Sequence, residues 1–132
     1  MPIQSRIDEE RDTLVVEMTG ELTPESVREA LDVITEDPRR LATSRELWDL
    51  TRVQRHGFYY RDLTALARLG KSDYRERPVR VALVALRDHV YGSLRSLQAL
   101  MDTAACQIAV FRSLEDARHW LDDTVERAPG NA

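Results

Sequence analysis

The sequence predicts an α/β layer fold: a mainly parallel sheet of about five strands with an antiparallel N-terminal strand, covered by four helices. Three observations predict it. The run Val79 to Leu86, VRVALVAL, is almost continuously apolar and rich in valine, as a strand covered on both faces must be. Strand-like and helix-like segments alternate in the order β-β-α-β-α-β-α-β-α, which favours parallel strands joined by right-handed crossovers. The chain has 132 residues, 42% hydrophobic and 32% charged, the size and composition of one globular domain. The predicted domain spans residues 1–125, followed by a frayed tail over 126–132 that reads ERAPGNA.

Taken in order, Ile3 to Ile7 is a first strand, turned by DEERD into a second over Thr13 to Thr19. There Leu14, Val16 and Met18 alternate with Val15 and Glu17, and the two segments pair as a hairpin. Gly20 closes the strand. Thr23-Pro24-Glu25 then starts a helix with a capping hydroxyl, a proline at the first helical position and an acid in the first turn. Val27, Ala30, Leu31 and Ile34 form its apolar stripe, and Pro38 ends it. A short central strand runs from Glu46 to Thr51, followed by a polar loop over Arg52 to Tyr60. A helix from about Tyr59 to Leu69 buries Leu63, Leu66 and Ala67, and Gly70 stops it.

The segment KSDYRERP is a charged loop that leads into VRVALVAL. Asp88 caps the next helix, in which Val90, Leu94, Leu97, Met101 and Ala104 keep helical spacing. Cys106 to Phe111 is the last strand. Ser113 caps a final helix with Leu114, Ala117 and Leu121 turned inward. Trp120, one residue earlier, reads as a seal on the core.

Charge and composition narrow the function. A net charge of −4 argues against a nucleic-acid partner, whose phosphates need a basic face. No run of 18 apolar residues is present to span a bilayer, and MPIQSRIDEE lacks the pattern of a signal peptide. The single cysteine, Cys106, cannot form an internal disulfide and reads as a buried thiol in CQIAVF. These features point to the cytoplasm. A symmetric dimer is compatible with a domain of this size, and the sequence locates no interface.

Candidate chemistry gathers in two loops expected beyond the carboxyl ends of neighbouring strands, where open α/β sheets bind ligands. One offers Arg52, Arg55, His56, Tyr59 and Tyr60; the other offers Asp88, His89 and Tyr91. With two helix N-termini aimed at the same space, these residues suit a partner protein or a small anionic or amphipathic ligand. The competing account is that they are ordinary loop polar groups and helix caps. Asp49, inside LWDL, is expected to bond backbone amides of the following loop, since a buried carboxylate needs partners. A weaker enzymatic reading takes His56 as general base oriented by Asp49 or Asp88, in a small hydrolase or isomerase. No serine-centred elbow, phosphate-binding glycine loop or zinc-like Cys/His spacing supports catalysis, a metal or a cofactor.

Four phrases carry a family resemblance: VVEMTGELTPESV, LWDLTRV, VRVALVALRDHVYG and AVFRSLEDARHWL. In this combination, which covers nearly the whole chain, the sequence resembles the SpoIIAA-like proteins, a branch of the STAS (sulphate transporter and anti-sigma factor antagonist) fold. The resemblance implies a β-α superhelix and a non-enzymatic switch protein that binds an anti-sigma kinase and is phosphorylated on a serine between Val53 and Tyr60. Here that segment reads QRHGFYY, without serine or threonine. The phospho-switch is therefore not expected at this position. The similar topology of the lipid-carrying Sec14 proteins adds a second expectation, a carrier for a lipid or other apolar molecule.

Overall fold

The computed structural model describes residues 3–39, 43–56, 61, 62, 64, 65, 67, 68, 79–101 and 106–127. Its elements are β1 (Ile3–Asp8), β2 (Thr13–Leu22), α1 (Pro24–Thr35), β3 (Arg45–His56), β4 (Val79–Val84), α2 (Asp88–Met101), β5 (Cys106–Phe111) and α3 (Leu114–Arg127). The five strands lie side by side in chain order. β1 runs antiparallel to β2, and every later pairing is parallel. This is the predicted sheet. Three helices are described in full instead of four. The described residues among 61–68 are helical where the remaining one is expected, with Ala67 in the core. The expected buried positions Leu63 and Leu66 lie outside the described residues.

The period-two pattern of the strands sorts their side chains onto two unequal layers. Leu14, Val16 and Met18 on β2, Trp48 and Leu50 on β3, and Val79, Val81 and Leu83 on β4 share one layer with α1 and α2. The opposite layer is small among the described residues: Val15, Leu47, Ala82 and Val84 meet Ala117 and Leu121 of α3, with Phe111, Leu114 and Trp120 at the margin. β4 contributes to both layers, which accounts for its unbroken apolar run. One carboxylate lies in the larger layer. Glu46 has no exposed surface, and its Oε1 accepts from Trp48 Nε1 at 3.3 Å.

The helix starts follow local chemistry. Thr23 Oγ1 accepts from the Ser26 amide at 3.1 Å, and Ser26 Oγ accepts from the Thr23 amide at 2.9 Å. That reciprocal box satisfies two amides that no helical carbonyl can reach. At α3, Ser113 Oγ accepts from the Asp116 amide at 3.1 Å. α3 then continues through Arg127, two residues into the segment expected to fray.

Two expected boundaries are corrected. Gly20 does not close β2; it sits at φ 87° within the strand, which continues to Leu22. β3 does not stop at Thr51 but runs to His56, so the loop expected over Arg52 to Tyr60 is strand for its first five residues. Both corrections share a cause. Beyond Glu17 and Asp49, β2 and β3 stay paired through two register shifts, with Thr19 opposite Arg52, Gly20 opposite Val53 and Leu22 opposite His56. β3 spends an extra residue at each shift, as in a β-bulge, and glycine supplies the left-handed conformation that other residues resist.

Candidate functional site

The register places the carboxyl ends of β4 and β5 level with each other and well below those of β2 and β3. Val84 pairs with Phe111 on one side and with Asp49 on the other, and β3 extends seven residues past that rung. The edge is therefore stepped, with a two-stranded ribbon of β2 and β3 rising beside a lower ledge.

On the ledge, Ala85 donates its amide to the Phe111 carbonyl at 3.1 Å and prolongs the β4–β5 ladder by one bond. The chain then turns through Leu86 and Arg87 into α2. Leu86 is 53% exposed, the more exposed of two large apolar side chains open to solvent among the described residues. Across from it, only Arg112 and Ser113 separate β5 from α3, and Ser113 is committed to its cap. Arg112 reaches back over the ledge. Its Nη1 donates to the Leu86 carbonyl at 3.1 Å, its Nη2 lies 2.7 Å from Asp88 Oδ1, and its guanidinium sits 4.4 Å from the centre of the Tyr91 ring. One side chain thus ties together a loop carbonyl, the first residue of α2 and the aromatic ring one turn later.

This arrangement corrects the role expected for Asp88. The first backbone bond of α2 runs from the Tyr91 amide to the Arg87 carbonyl at 2.9 Å, so Arg87 occupies the cap position. Asp88 lies inside the first turn, its side chain 91% exposed and paired with Arg112. His89 is exposed on the same turn, and Tyr91 is half-buried against the larger layer. The sequence reading missed Arg112. Its only local signal was its place between a strand and a capping serine.

The other candidates stand elsewhere. Arg52 and Arg55 project from the ribbon, and Arg55 Nε lies 3.3 Å from Glu21 Oε2 on the paired strand. His56 is the last residue of β3, and its side chain lies outside the described residues, as do Tyr59 and Tyr60. The structure therefore joins Asp88 and Tyr91 on the ledge and sets Arg52 and Arg55 on the ribbon above it.

Asp49 sits at the first bulge. Its Oδ1 accepts from the Thr51 amide at 3.0 Å and from Thr51 Oγ1 at 2.6 Å. Leu50 and Thr51 together oppose the single Met18, and the Thr51 amide, turned out of the ladder, bonds Asp49 instead. The partner is strand backbone, not the loop that was expected. His56 lies seven steps along the strand from Asp49, about 23 Å at about 3.3 Å per residue, too far for one to orient the other in proton transfer. Trp120 lies on the smaller layer, its ring centre 5.7 Å from that of Phe111 at 48°. Among the described residues, no three His, Cys, Asp or Glu side chains converge to hold a metal ion, and no helix is long and apolar enough to cross a membrane.

A family model described as SpoIIAA-like matches residues 13–122, which include the ribbon, the ledge and α3 up to Asp122. The chain belongs to the SpoIIAA-like family. Among solved structures, it is similar to the anti-sigma factor antagonist SpoIIAA in its unphosphorylated form, with a TM-score of 0.54 at 15% identity over 97% of this chain and 98% of that one. It is likewise similar to an uncharacterized DUF3478-family protein with a SpoIIAA-like fold from Shewanella loihica PV-4. There the TM-score is 0.55 at 19% identity, over 90% of this chain and 93% of that one. No curated protein matches in sequence. At such identities the structural likeness establishes the shared SpoIIAA-like fold, and the site rests on this chain's own residues.

Proposed function

We propose that this SpoIIAA-like protein is a non-enzymatic regulatory module that binds a partner protein at the ledge formed by Leu86, Asp88, His89, Tyr91 and Arg112. The observation that carries the reading is the threefold engagement of Arg112, which holds an aromatic ring, a carboxylate and a loop beside an exposed leucine. A tyrosine beside an arginine is a pairing enriched where binding energy concentrates in protein interfaces. Holding Tyr91 and the Leu86 loop in place beforehand lowers the ordering entropy lost on binding. One structural neighbour is an anti-sigma factor antagonist, in keeping with a protein partner. The ribbon residues Arg52 and Arg55 would flank that partner, and with no serine or threonine in QRHGFYY its release would not depend on phosphorylation there.

Site-specific photo-cross-linking tests the reading. A photoreactive residue at position 86 should trap one defined protein in the source organism, whereas the same residue at Val33, exposed on α1, should not. Equal trapping at both positions would refute a ledge-directed partner.

A further inference from the structure

The stepped edge leaves half of an inner strand with a neighbour on one side. β4 pairs with β3 only as far as Asp49, and the chain after β4 turns into α2 at Asp88. Over residues 51–55, β3 bonds through its backbone to β2 and, at the Thr51 amide, to Asp49 Oδ1. Among the described residues, no backbone bond engages its other side there. Those five strand residues span about 16 Å at about 3.3 Å each. Arg52, Gln54 and Arg55 are exposed along them. The base of this slot is the ledge: Leu86 continues the line of β4, and Arg112 holds the Leu86 carbonyl.

An unpaired strand edge presents a row of donors and acceptors that another extended backbone matches at alternate residues. Side chains add a sign. Arg55 is paired with Glu21, Arg112 with Asp88, and Asp49 is committed to Thr51. Among the described residues, the exposed Arg52 and Arg87 have no ion-pair or hydrogen-bonded side-chain partner. Arg61 and Asp62, farther along the chain, carry opposite charges, and Glu115 and Asp116 follow β5, two strands from β3. Val53 belongs to the larger layer, so by the period of a strand Arg52 lies on the other face. A strand added in the slot would set its side chains about 5 Å from those of β3 on each face.

From this we infer that the partner binds the stepped edge as an extended strand. A segment of about five residues adds to β3 over residues 51–55, above Leu86, with an acidic side chain beside Arg52 and an apolar one beside Val53. The inference deepens the reading of the ledge as a partner site and rests on it.

The test is selection of a phage-displayed library of random linear peptides on the wild-type protein. An enriched peptide is then synthesised in two forms, N-methylated on one or the other set of alternate residues. Successive amides of a strand point to opposite sides, so only one set faces β3. Methylating that set should weaken binding at least about tenfold, the effect of losing two backbone hydrogen bonds, while the other set should leave it unchanged. The unmethylated peptide should slow amide hydrogen exchange within residues 52–55, carry Asp or Glu at a fixed position and bind Arg52→Gln more weakly. No enrichment, equal effects of the two methylated sets, or unchanged exchange at 52–55 would overturn the strand. Enriched peptides with no fixed acid and full affinity for Arg52→Gln would overturn the charge half of the inference. The two readings fail separately. If the partner captured at position 86 binds without slowing exchange at 52–55, the strand is lost and the ledge stands. If strand-forming peptides bind Leu86→Asp as tightly as wild type, the strand stands and the ledge is lost.

Discussion

At the scale of single residues, contacts that look alike differ in how they can be found and in what they contribute. The caps at Thr23 and Ser113 are built within three residues and follow from side-chain type alone. Arg112 and Asp88 are 24 positions apart and meet only because β4 and β5 are neighbours, so nothing local in the sequence announces the pair. Because Asp88 is almost fully exposed, Arg112→Gln should lower stability by less than about 1 kcal/mol in thermal unfolding. Its measurable consequence should be a freed Leu86 loop, seen as faster amide exchange at residues 86–91. The Asp37 carboxylate presents the clearest pH effect. Side-chain hydrogen bonds from Arg39, at 3.0 and 2.6 Å, are the main cause that holds it below the usual aspartate range, and the Arg39 amide adds to them. A lowered folded-state value means stability that is present above the unfolded-state value and lost as pH falls through the folded one. Asp37 should therefore add no pH dependence between pH 5 and 8, and an NMR titration of its carboxyl carbon should show a midpoint below that of a model peptide.

At the scale of elements, periodicity revealed each strand and misjudged where two of them end. β4, with apolar neighbours on both faces, is legible as an unbroken run. The far half of β3 is not, because beyond Asp49 it leaves β4 behind and keeps β2 as its partner. With one face toward solvent, Arg52, Gln54 and Arg55 are tolerated in a strand and imitate a loop, while Val53 alone marks the buried side. Gly20 was misjudged for a related reason, since a glycine that permits a bulge looks like one that ends a strand. Gly20→Ala separates the two roles. A Cβ there meets nothing within 4 Å, so the cost is purely conformational, about 1 kcal/mol for an L-residue at φ 87°. Chemical denaturation should show that loss with an unchanged denaturant slope. No loss would mean that the backbone at position 20 relaxes to negative φ without harm to the ribbon.

At the scale of the whole molecule, the decisive feature is asymmetry. Among the described residues, one face of the sheet carries most of the core, and the other is covered by α3. Leu121 is the deepest large side chain among the described ones of α3, and Leu121→Ala should cost about 2–5 kcal/mol by the usual penalty for a buried leucine. A cost below 1 kcal/mol in urea unfolding would show that the smaller layer adds little to stability. The stepped edge lies at the carboxyl ends of the strands, where β3 rises past the last rung it shares with β4. Family membership was legible because its phrases fall on strands and helix starts. The ledge was only half legible, since its organising side chain comes from the far end of the chain.

The central claim, that the ledge binds a partner protein, is tested most directly by calorimetric titration of the cross-linked and purified partner into wild-type protein, Leu86→Asp and Arg112→Gln. Both substitutions should weaken binding at least about tenfold, equivalent to about 1.4 kcal/mol, with melting transitions close to wild type. Wild-type affinity in both variants would place the interface elsewhere and contradict the account.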